Sequence, residues 1–224
     1  MTLIVKLSRP TTARGQDVIS AALASRPAVA GFLIKEAIVP LIGLEGISKL
    51  YGHGEEKLLI LDLRIEDTPD DLAGLRSLSG LVTGVTVSYR LATSRDWPAV
   101  ANILSGARLV PVLAITRYDL EQAQLTPEKV AEALRSSGIH EVLLLTPDTN
   151  LVTYVTAMNP NARVIVEGVE LGSGICAGAS YEVIGQEVLD AEDPLRSVRL
   201  AIYRQRRGAE DCRAGPQPAR AFQT

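Results

Sequence analysis

The sequence predicts a single-domain α/β protein, a (β/α)8 TIM barrel over residues 1–207. Short β-rich runs alternate with amphipathic helix-sized segments almost without interruption, the pattern of repeated βα units around a parallel sheet. Eight such runs recur at roughly 25-residue spacing, which suits a closed barrel better than an open doubly wound sheet. The chain has 224 residues and 46% hydrophobic composition. That is enough for one large core, and barrels of this length form one domain.

In chain order, the first strand is "TLIVKLS" (2–8) and the second is "GFLIKEAI" (31–38). The third, "KLLILDLR" (57–64), precedes "TPDDLAGLRSLSG" (68–80), which reads as a helix with a Thr N-cap, Pro at the first helical position, early acidic residues and a terminal Gly. Strands four and five are "LVTGVTVS" (81–88) and "RLVPVLAI" (108–115), and "TPEKVAEALRSSG" (126–138) repeats the same helix grammar. "EVLLLT" (141–146), "RVIVEG" (163–168) and "YEVIGQ" (181–186) complete the set. The seventh unit is the weakest, because "VELGSGICAGAS" (169–180) is too short and Gly-rich for a good helix. The tail, 208–224, has no apolar period and several Gly and Pro, so it is expected to be largely disordered.

A net charge of −3 leaves no basic footprint, and "YRQRRG" (203–208) lies near the C-terminus rather than along a groove-reading element, so no nucleic-acid partner is expected. "MTLIVKLSRP" enters an apolar strand at once, unlike a signal peptide. No run approaches the roughly 20 apolar residues of a membrane span, so no membrane partner is expected. Cys176 and Cys212 have no metal-ligand spacing and read as reduced thiols of a cytoplasmic protein. His53 and His140 read as surface or capping residues.

Active sites of such barrels lie at the C-terminal ends of the strands. There "LLILDLRIEDTPDDL" (58–72) places Asp62 and Arg64 on one face of strand three, opposite Leu59, Leu61 and Leu63. If the leucines pack under the helices, Asp62 and Arg64 line the mouth, and Asp67 follows where the strand opens into its loop. A guanidinium offsets the several kcal/mol that burial of a lone carboxylate costs, so an interior ion pair serving stability alone is the competing reading. On the first strand Lys6 and Ser8 share a face, and Asp62 is a candidate partner for Lys6.

"DLRIEDTPDD" resembles the D-x-K-x-x-D motif at the end of the third strand in the orotidine 5′-phosphate decarboxylase superfamily. "PLIGLEG" (40–46) is similar to its P-L-x-x-x-E-G after the second strand, "LLTPDTNLV" (144–152) to its sixth-strand loop, and "EVIGQEVLDAEDPLRSVRLAI" (182–202) to its eighth unit. The order and spacing of these stretches extend the resemblance over about residues 2–203. The resemblance implies a (β/α)8 barrel, a phosphorylated small-molecule substrate and a homodimer with shared active sites. It also implies a catalytic group of Asp62, Asp67 and a cation, either Lys35 or Arg64. Arg64 stands where the motif has a proton-donating lysine, and a guanidinium with a pKa above about 12 is a poor proton donor near neutrality. Of the adjacent Lys35 and Glu36, one faces in and the other out.

Substrate contacts implied by the resemblance are Lys6, Ser8, Thr146, Gly168, Gly172, Gly174, Gly185 and Gln186. The glycines would offer backbone N–H groups to a phosphate. Gln186 occupies the place of a phosphate-binding Arg, and Ser8 that of an Asp. The leading expectation is a cofactor-free decarboxylation of orotidine 5′-phosphate to uridine 5′-phosphate in pyrimidine synthesis. A catalytically impaired paralogue, acting as a binding or partner subunit, is the second. The third is a magnesium-dependent enzyme resembling 3-hexulose-6-phosphate synthase or 3-keto-L-gulonate-6-phosphate decarboxylase, with Glu36 and Asp62 as metal ligands.

Overall fold

The computed structural model describes residues 2–8, 20, 22–23, 26–51, 57–66 and 76–213, apart from the side chains of Tyr51 and Gln186. Eight parallel strands close into a barrel in sequence order: β1 Leu3–Leu7, β2 Gly31–Lys35, β3 Leu58–Ile65, β4 Gly84–Ser88, β5 Val110–Thr116, β6 Glu141–Leu145, β7 Arg163–Glu167 and β8 Tyr181–Ile184. β1 pairs with β2 on one side and β8 on the other, which completes the ring.

The alternation read in the sequence separates two cores. Ile4, Leu33, Ile60, Val112, Leu143, Ile165 and Val183 fill the barrel interior. The opposite strand faces, including Leu59 and Leu61 of β3, pack beneath the helices in a larger cluster. β4 contributes Gly84 opposite Ile60, and a Cβ there would lie 2.7 Å from the Val110 carbonyl oxygen, so the close approach of β4 and β5 requires glycine.

The helix grammar is realised most clearly at Pro127–Ser137. The Thr126 side chain accepts from the Lys129 N–H, and Gly138 ends the helix at φ 70°. Of the expected helix 68–80, residues 68–75 lie outside the described set, and Arg76–Leu78 form a 3-10 turn. The seventh unit is as short as expected, a single turn at Ser173–Cys176.

Two expectations are corrected at the C-terminus. The final helix runs from Pro194 to Arg213, so residues 208–213 are helical; 214–224 lie outside the described residues. Cys176 and Cys212 form a disulfide across 36 residues rather than remaining as thiols. Both follow from one packing event. Gly208 and Gly172 let the helix press against the loop after β7, and a Cβ on Gly208 would lie 2.2 Å from the Leu171 carbonyl oxygen. Apolar side chains recur along this helix with Val198, Ala201 and Ala209 buried, and Gln205 is the buried polar member of the same face.

Candidate active site

The C-terminal ends of β2, β3 and β4 bring together Lys35, Asp62, Thr86 and Arg64. Lys35 and Asp62 are register partners at the end of the β2–β3 ladder, with both side chains on the interior face. The Lys35 ammonium is ion-paired with Asp62 Oδ2. The Thr86 hydroxyl donates to Asp62 Oδ1 at 2.8 Å. Asp62 is almost wholly buried, with 1% of its side chain exposed. Its two oxygens therefore each have a partner, which is the condition for keeping a carboxylate in such a place.

Arg64 does not simply follow the alternation. The β3–β4 register shifts between Leu61 and Ile65, and Arg64 sits in the left-handed region at φ 48°. That conformation costs an ordinary L-residue about 1–2 kcal/mol. Its N–H donates to Thr86 Oγ1 at 2.9 Å, which anchors the bulge. The side chain is 42% exposed, with Nε 3.6 Å from Asp62 Oδ1, so the guanidinium leans over the mouth instead of lying inside it. Asp67 lies outside the described residues.

Of the adjacent pair, Lys35 faces in. Glu36 opens the 3-10 turn Glu36–Ile38 and is exposed. Glu36 and Asp62 do not fit a magnesium site: the ammonium of Lys35 holds one Asp62 oxygen and Thr86 the other. No group of three or more His, Cys, Asp or Glu is placed to hold a metal ion among the described residues.

A second part of the mouth is a cleft of about 420 Å³ at the ends of β7, β8 and β1, lined by Lys6, Ser8, Glu167, Gly168, Gly185 and Glu187 among others. Lys6 is ion-paired with Glu167 of β7 and not with Asp62. Ile4 and Ile165 already face the interior, so two residues further along each strand Lys6 and Glu167 meet across the top. The expected anion donors are differently employed. Gly172 and Gly174 turn their N–H groups onto the Glu182 carboxylate, at 2.9 Å and 2.7 Å for the shorter contact of each. Ile175 N–H adds a contact at 3.2 Å and Gln205 Nε2 one at 2.8 Å. Glu182 is 1% exposed on the helix-facing side of β8. The Gly185 N–H donates to Glu187 Oε2 at 3.2 Å. Thr146 is buried, with its hydroxyl accepting from Asp148 N–H at 3.4 Å, and does not line the cleft. The Gln186 side chain lies outside the described set.

Thr86, Glu167 and Glu182 are the residues that motif reading missed. The first two carried a usable signal: in "GVTVS" and "RVIVE" the inward alternation ends on polar side chains at the catalytic end. Glu182 carried none, because its partners come from the loop after β7 and from the final helix.

Solved structures with this architecture include the orotidine 5′-phosphate decarboxylase of Pyrococcus horikoshii, 16% identical, with a TM-score of 0.76 over 91% of this chain and 99% of that one. The chain shares the closed (β/α)8 barrel fold of that enzyme. The orotidine 5′-monophosphate decarboxylase of Metallosphaera sedula gives 18% identity and a TM-score of 0.73 over 92% of this chain and 98% of that one. An uncharacterized conserved protein from Geobacillus kaustophilus gives 18% and 0.69 over 91% and 99%. No family model and no curated protein matches the sequence. The Lys35–Asp62 pair lies at the C-terminal ends of the strands of this barrel, and among the described residues no helix is long and apolar enough to cross a membrane.

Proposed function

We propose that the protein is a cofactor-free carboxy-lyase of the orotidine 5′-phosphate decarboxylase type, with Lys35 as proton donor. The observation that carries this reading is the ion pair of Lys35 with buried Asp62, itself fixed by Thr86. In the reaction the bond from the substrate carbon to its carboxylate breaks, carbon dioxide leaves, and the electron pair stays on that carbon. The Lys35 ammonium transfers a proton to it and is reprotonated from solvent. An ammonium does this readily where the guanidinium of Arg64 does not. Asp62 holds the ammonium in place, and its charge repels a substrate carboxylate set beside it, a repulsion relieved as carbon dioxide departs. Arg64 at the rim is suited to drawing that carboxylate in.

A place in pyrimidine synthesis and a homodimer with shared sites belong to the same proposal. Exposed Leu41 and Leu44, beyond β2, and Tyr118, beyond β5, give the catalytic end of the barrel apolar surface for a second copy. The second reading, a barrel that binds without turnover, is favoured by the engaged amides of Gly172, Gly174 and Gly185.

The test is release of carbon dioxide from orotidine 5′-phosphate and from orotidine in the presence of EDTA. Lys35→Ala is expected to lower turnover by at least about 10³-fold, the scale of a lost proton donor together with its charge. Turnover unchanged in that variant would remove Lys35 from the chemistry, and no turnover of either compound by the native chain would favour the binding barrel.

A further inference from the structure

The charged side chains at the mouth belong to one layer of the barrel interior. Ile4, Ile60 and Ile165 face inward on β1, β3 and β7, together with Val112 of β5. Two residues further along the same strands stand Lys6, Asp62, Glu167 and Ala114, and in such a barrel side chains from alternate strands fill one layer. Around this layer Lys6 has Asp62 on one side and Glu167 on the other. The next layer outward places Lys35 of β2 above the gap between Lys6 and Asp62, and Gly185, just past β8, above the gap between Lys6 and Glu167. Gly185 has no side chain to part that second pair, and a Cβ there would lie 3.7 Å from the Lys6 Cβ. Two carboxylates thus compete for Lys6, and two ammonium groups for Asp62. The pairing adopted is Lys6 with Glu167 and Lys35 with Asp62.

We infer that Glu167 is a positioning residue: it holds the Lys6 ammonium on the β7 side of the barrel and so leaves the Asp62 carboxylate to Lys35. The inference rests on the decarboxylase reading only in giving Lys35 a proton to transfer. Exposure decides which pairing is at risk. The Asp62 side chain is 1% exposed and that of Glu167 24%, so the charge of Asp62 is screened less by solvent and attracts a nearby ammonium more strongly. Without the Glu167 charge, Lys6 turns to Asp62, where Thr86 holds Oδ1 and Lys35 holds Oδ2. Two ammonium groups then meet at one oxygen, and their repulsion drives Lys35 toward the rim. Glu187 also lines the cleft, but it is exposed and accepts from the Gly185 N–H, so its hold on Lys6 is the weaker one.

Crystal structures and steady-state kinetics of the native full chain, Glu167→Gln and Lys6→Met/Glu167→Gln test this. In Glu167→Gln the Lys6 ammonium is expected within hydrogen-bond distance of Asp62, with Lys35 displaced, and kcat for orotidine 5′-phosphate is expected to fall by about tenfold to a hundredfold. In the double variant Lys35 is expected back on Asp62, with kcat at least about fivefold above that of the single variant. An ion pair serving stability alone gives no such recovery, because the second substitution restores no contact that the first removed. Lys6 found on Glu187 or in solvent in Glu167→Gln, or a double variant in which Lys35 stays off Asp62 or kcat stays low, would overturn the inference. If the native chain releases no carbon dioxide, the decarboxylase reading fails, and the ammonium positions in the three structures still judge the role of Glu167.

Discussion

At the scale of single residues, the site depends on a hydroxyl that makes two hydrogen bonds. Thr86 donates to Asp62 and accepts from the Arg64 N–H, so it both orients the carboxylate and holds the left-handed bulge that sets the arginine at the rim. Thr86→Val keeps the shape and removes both bonds. Stability is expected to fall by about 1–3 kcal/mol, the cost of buried groups left unpaired, read from a urea midpoint. Turnover of the variant, where it remains folded, is expected to drop by about tenfold to a hundredfold as Asp62 loses its orientation. The inward face of Asp62 and the opposition of Lys35 and Glu36 were accessible to strand alternation, since period two is a local property; that Lys35 is the inward one was not, because both faces of β2 are buried and apolar. The tilt of Arg64 was not, because a register shift depends on the neighbouring strand and leaves no mark in "DLRI".

At the scale of elements, the loop after β7, the strand β8 and the final helix act as one unit centred on Glu182. Its carboxylate ties Gly172, Gly174 and Ile175 to Gln205, and Gln205 Oε1 accepts from Thr2 Oγ1 at 2.7 Å. Glu182→Gln brings an amide NH2 toward amide donors, and a loss of about 2–3 kcal/mol in chemical denaturation is expected. The Cys176–Cys212 bridge fastens the same unit from outside. Chain-entropy arguments for a loop of this length give at most about 4 kcal/mol, so reduction by dithiothreitol, or Cys212→Ser, is expected to lower the thermal midpoint by several degrees without abolishing the fold. The composition of 208–224 concealed this element. Gly208 reads as a helix breaker until it is seen to be the point where the helix touches Leu171, and a pairing across 36 residues is not encoded in spacing.

At the scale of the whole molecule, the two ends of the barrel carry separate duties. Eight strands and their order were legible, because apolar alternation and helix caps are local signals that a parallel barrel satisfies together. At the end away from the site, the buried Glu141 at the start of β6 is ion-paired with Arg163, its register partner on β7. Arg163→Ala is expected to cost about 1–3 kcal/mol, moderated by the exposure of the arginine, while steady-state kinetics stay at the native value. A change in kcat comparable to that of Thr86→Val would show that the two ends are coupled. The buried Glu182 has a consequence for how the molecule uses a ligand. By supplying its own anion to the amides beyond β7, the barrel has that wall of the cleft assembled before any substrate arrives. On the proposed decarboxylase reading, affinity for a substrate's tail is then not spent on ordering that wall, and shortening the tail is expected to weaken binding more than it slows the chemical step.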